Sequence, residues 1–123
     1  MRKLTLLLAL IGAMVGMAFA GLALAAGGNS PTVKQRPCQA EQGQKSRQST
    51  ALVGLTFQND SASSVNIYWL DFGGNRVLYS TLGPGAGYVQ YTFPTHPWVV
   101  TDSANTCLSI WVATDRPGTV TIN

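Results

Sequence analysis

An all-β fold, a seven-stranded antiparallel β-sandwich, is what this 123-residue sequence predicts. Three observations predict it. Short runs rich in β-branched and aromatic residues recur from residue 51 to the end. Clusters of Gly, Pro, Asn, Asp and Ser separate them. No stretch beyond residue 26 shows helical periodicity.

Residues 1–25 form the first element. Met1-Arg2-Lys3 precedes a run that is almost uniformly apolar from Leu4 to Ala26 and ends in small residues. A basic start, a leucine-rich stretch and an Ala-x-Ala ending mark a secretory signal peptide. Cleavage is expected after Ala25, with Ala18-Phe19-Ala20 as a second site. The expected location is secreted or periplasmic. If uncleaved, the same run is long enough to anchor the chain in a bilayer.

Residues 26–50 read as a flexible, polar, basic linker. They carry too little apolar surface to offset the entropy of ordering. Lys34, Arg36, Lys45 and Arg47 oppose only Glu41 here, a balance of +3. From residue 51 onward, Arg76 and Arg116 oppose Asp60, Asp71, Asp102 and Asp115, a balance of −2. The positive charge therefore sits outside the expected domain, and nucleic acid is not an expected partner.

Residues 51–123 hold the strands: Ala51–Phe57, Ser64–Leu70, Arg76–Leu82, Tyr88–Phe93, Pro97–Thr101, Thr106–Ala113 and Gly118–Ile122. Alternation assigns their faces. Val65, Ile67 and Trp69 share one face of the second strand; Asn66, Tyr68 and Leu70 share the other. In the sixth, Leu108, Ile110 and Val112 are expected to face the core. Cys107 then lies toward an edge or outer surface. In an exported chain, two cysteines favour one disulfide, here Cys38–Cys107. Gly85 and Gly87 in GPGAG are expected to supply positive φ to a turn. Asn59-Asp60-Ser61 fits a glycosylation pattern but is read as a structural turn.

One histidine and scattered carboxylates give no metal site. No catalytic residue or cofactor is expected. An Asp102–His96–Thr92 relay has nothing in the sequence to support it.

The stretch NDSASSVNIYWLDFGGNRVLYSTLGPGAGYVQYTFPTHPWVV resembles the von Hippel–Lindau β-domain family. The shared points are Asn59-x-Ser61, Trp69-Leu70-x-Phe72-x-Gly74, Tyr79-x-Thr81-Leu82-x-Pro84-Gly85-x-Gly87 and His96-x-Trp98. They run without a gap through about forty residues. The resemblance implies a seven-stranded sandwich that binds an extended peptide or protein segment containing hydroxyproline. It also implies a pocket of Trp69, Tyr79, Thr92, His96 and Trp98, with Thr92 standing where the family has Ser. An imidazole and a hydroxyl each donate and accept, so together they suit a ligand hydroxyl. The aromatic rings suit a pyrrolidine. The chain stops at Asn123 without the family's helical segment and carries an export signal, so no ubiquitin-ligase role is expected. The alternative is an exported carbohydrate-binding or structural sandwich, with Tyr88, Tyr91 and Trp111 as sugar platforms.

Overall fold

The computed structural model describes residues 32–123; the expected signal peptide lies outside them. Eight strands and one short 3₁₀ helix form two packed sheets. They are β1 (Val33–Arg36), the 3₁₀ helix (Cys38–Gly43), β2 (Val53–Asn59), β3 (Val65–Leu70), β4 (Arg76–Leu82), β5 (Gly87–Thr92), β6 (Pro97–Thr101), β7 (Cys107–Ala113) and β8 (Gly118–Ile122). One sheet has the order β1-β7-β6-β3-β4, the other β5-β2-β8. All pairs are antiparallel except β2 with β8, which run parallel.

The count is eight rather than the expected seven. The added strand, β1, lies in the stretch read as a linker. Only Val33 of its four residues is buried, so its sequence carries no strand alternation. Backbone pairing with β7 recruits it, Val33 to Ala113 and Arg36 to Ile110. The 3₁₀ helix is held by the Cys38–Cys107 disulfide and by a forked Arg76–Glu41 ion pair. Beyond it, buried Ser46 donates its backbone N–H to Asp71 O and its hydroxyl to Leu70 O at 2.6 Å. Residues 33–46 are thus ordered by hydrogen bonds and a crosslink, neither of which apolar content reveals.

The core lies between the sheets. Val53, Leu55, Phe57, Val120 and Ile122 meet Val65, Ile67, Trp98, Val100 and Ala113. Phe57 and Trp98 lie 6.0 Å apart between ring centroids across this interface. A second, smaller cluster of Leu70, Val99 and Ile110 packs with Tyr68 and Cys107. All five residues of β6 are buried.

Two readings of detail change. In β7, Ile110 belongs to the smaller cluster, Trp111 packs against the inter-sheet core, and Leu108 is exposed. Both faces of this sheet are apolar, so alternation alone does not tell which one meets the other sheet, and a register shift accounts for Leu108. Val100 pairs with Ser109 but Thr101 with Cys107, leaving Leu108 as an extra residue. Gly85 does have positive φ, 79°, but Gly87 does not. At Gly87 the constraint is space: a Cβ there would lie 3.0 Å from the Phe57 carbonyl.

Candidate functional site

A cavity of about 220 Å³ is lined by Trp69, Phe72, Tyr79, Tyr91, Thr92, Phe93, His96 and Trp98. All five residues expected from the sequence line it. Phe72, Tyr91 and Phe93 were not anticipated as members. The volume lies below the several hundred Å³ of typical small-molecule sites and suits one ring or side chain.

Each side chain arrives by a definable route. Trp69 and Trp98 are cross-strand partners on β3 and β6, so their indoles project from the same face. Tyr79 is the extra residue of a β-bulge: Ile67 pairs with Ser80, and Tyr68 with Leu78. A bulge re-aims the side chain it carries. Here the Tyr79 ring meets Trp98 edge-on at 5.0 Å and Trp69 at 6.1 Å. Half of Tyr79 remains exposed, while Trp98 is 2% exposed and forms the floor. Thr92 ends β5 and brings the second sheet into the cavity.

His96 sits at the end of a tight turn. Its N–H bonds Phe93 O at 3.1 Å, with Pro94 and Thr95 at the central positions. Thr95 has φ 79°, the value that a type II turn demands of its third residue and that Gly usually supplies. A β-branched residue there is strained. The Thr95 hydroxyl compensates by clamping Arg47: it accepts from Arg47 N and donates to Arg47 O, both at 3.3 Å.

The hydrogen bonds fix the His96 tautomer. Its Nε2 lies 3.1 Å from the Arg47 carbonyl, which can only accept, so Nε2 carries the proton. Nδ1 then accepts from Trp69 Nε1 at 3.2 Å. Both ring nitrogens are engaged. Thr92 differs: its Oγ1 accepts from Trp98 Nε1 at 3.0 Å, and its own proton has no partner among the described residues. The unspent donor of the cavity belongs to Thr92, which is itself buried.

Burial pushes the His96 imidazole below its ordinary 6.5, against the upward pull of the Arg47 carbonyl. Protonation would set an Nδ1–H against the Trp69 N–H. A folded-state value below the unfolded one means that the unfolded chain takes up the proton first. His96 therefore contributes stability above pH 6.5 that is lost as pH falls through the depressed value. Urea midpoints should drop between about pH 7.5 and about pH 5, and drop less in His96→Gln. Equal drops would assign the acid sensitivity to other groups.

Of the sugar platforms considered, only Tyr91 is exposed. Tyr88 stacks on Phe57, and burial pushes its hydroxyl up to about 12. Trp111 is half-buried and donates to Ser109 Oγ at 2.8 Å.

The fold and the cavity define a recognition module: a β-sandwich presenting an aromatic cage with a buried hydroxyl at its base. A family model described as VHL beta domain matches residues 44–113, more than half of the chain. The chain belongs to the VHL beta domain family, whose members are substrate-recognition modules that bind protein or peptide and are generally non-catalytic. β1, the 3₁₀ helix and β8 lie outside the matched residues. No curated protein matches the chain.

Proposed function

We propose that this domain binds an extended peptide by enclosing a hydroxyproline-type ring in the cage of Trp69, Tyr79, Thr92, His96 and Trp98. One observation carries the reading: a buried Thr92 hydroxyl with an unshared proton at the base of an aromatic cavity. Trp98 supplies an apolar floor for a pyrrolidine; Trp69 and Tyr79 supply walls. The ligand hydroxyl accepts a hydrogen bond from Thr92 Oγ1 and donates to His96 Nδ1 in place of the Trp69 indole, which turns away from that lone pair. β4, which carries Tyr79, is an edge strand with exposed Val77 and Leu78. Its free backbone groups suit an extended segment laid beside it. The apolar run at residues 4–26 favours an exported setting, apart from any ubiquitin-ligase partner.

Calorimetric titration with matched proline and 4-hydroxyproline peptides tests this. An unpaired buried Thr92 donor should weaken proline binding about tenfold relative to hydroxyproline. Thr92→Val should abolish the preference and Thr92→Ser should restore it. Equal affinities for the two peptides in the unaltered protein would refute the proposal.

A further inference from the structure

We infer that a second, basic groove beside the cage is a subsite for acidic side chains of the same peptide; this rests on the peptide-binding reading above. The groove has a volume of about 540 Å³. Lys34 and Arg36 of β1, with Lys45 and Arg47, line it against a single carboxylate, Asp115. Among the described residues none of these four cations is ion-paired; the only salt bridge joins Arg76 to Glu41. All four are exposed, so their charge is available to a ligand. A concave surface lined by one sign of charge concentrates the field and selects the opposite sign.

The groove and the cage share a wall. Arg47 lines the groove and lends its carbonyl to His96 Nε2. Thr95 lines the groove, while its neighbour His96 lines the cage. The strained Thr95 turn and its clamp on Arg47 hold that wall in place. A chain extended out of the cage across Pro94 and Thr95 meets the cations within a few residues. A peptide is favoured over a free polyanion because the two sites are joined in this way. Two guanidinium groups, Arg36 and Arg47, also suit forked recognition of carboxylates.

The test uses the full chain and two substitutions outside the cage, Arg36→Gln and Lys45→Gln, made together. A hydroxyproline peptide flanked by Asp or Glu should bind about tenfold more tightly than its Asn/Gln counterpart at low salt, and the advantage should shrink as salt rises. The double variant should lose this advantage and keep its affinity for the neutral peptide. A second probe is a glutamate-rich peptide lacking proline and hydroxyproline. It should bind weakly to the unaltered protein and to Thr92→Val, and not to the double variant. That probe separates the two readings: a cage that ignores hydroxyproline leaves the groove result intact. No gain from acidic flanks, a gain that survives Arg36→Gln/Lys45→Gln, or tight binding of an oligouronate with indifference to acidic peptides would each overturn the inference.

Discussion

Asn59→Asp is expected to lower the stability of the domain by about 4 kcal/mol, enough to leave it marginally folded. Asn59 is fully buried. Its Nδ2 donates to Ser63 O at 2.8 Å, Leu82 O at 3.0 Å and Gly83 O at 3.2 Å. Its Oδ1 accepts from Ser61 N and from Ser61 Oγ at 2.6 Å. The side chain thus ties the end of β2 to both the β2–β3 turn and the end of β4. The backbone adds to this: Asn59 N bonds Ala86 O, and Gly85 N bonds Asn59 O at 2.7 Å. An Asp of the same shape turns carboxylate oxygen toward three carbonyl oxygens. Either that charge is buried unpaired, or a proton is taken up and a single donor replaces two. Urea denaturation of Asn59→Asp and Asn59→Ala measures the effect. A loss below about 1 kcal/mol in both would show that the turn does not depend on this side chain. The same bonds oppose use of Asn59 as a glycosylation acceptor, because its amide is spent inside the protein.

Loss of the Cys38–Cys107 disulfide should be comparable, at about 4 kcal/mol from loop-closure entropy. The bridge spans 69 residues. Its local consequence is more specific than its size. It fixes the 3₁₀ helix and, through it, β1 and the loop to Ser46. With the bridge gone, residues 33–43 keep four β1–β7 pairs and the Arg76–Glu41 pair, which is about one-quarter exposed and contributes little, while Ser46 and Arg47 stay tied to Asp71, Leu70 and Thr95. The paired variant Cys38→Ala/Cys107→Ala should therefore lose amide protection first at residues 33–43, while β6 stays protected longest. Because Lys34 and Arg36 move with β1, binding of acidic peptides should fall in this variant before binding in the cage does. A uniform loss of protection across all strands would instead make the bridge a global staple.

Most of the sandwich was legible because its strands alternate. Val53, Leu55, Phe57 and Asn59 of β2 are buried at every second position, and Val65 and Ile67 of β3 repeat the pattern. β1 was illegible for the opposite reason: Val-Lys-Gln-Arg has one inward side chain, and its strand state is a property of β7's free edge. The face of β7 was misassigned because both faces of the five-stranded sheet are apolar there and a register shift moves Leu108 out. The cage was legible as a set of residue types at family spacing. Its hydrogen bonding was not. The proton on His96 is placed by a backbone carbonyl, that of Arg47, and no side-chain pattern announces it. Phe93 had a weak signal, since it directly follows Thr92 at the end of β5; Phe72, two residues past the end of β3, had only its place in the family pattern. The charge balance is legible in the sequence, but its location is not: the basic stretch folds against the domain and lines a groove.

The most direct test is a two-dimensional NMR titration that follows the three indole Nε1–H resonances. Trp98 donates to Thr92, Trp69 to His96 and Trp111 to Ser109, so each signal reports on one acceptor. A hydroxyproline peptide should shift the Trp69 and Trp98 resonances and leave Trp111 near its starting position, and the matched proline peptide should move them far less. Unmoved Trp69 and Trp98 signals at saturating hydroxyproline peptide, or identical shifts with both peptides, would contradict hydroxyl recognition in this cage.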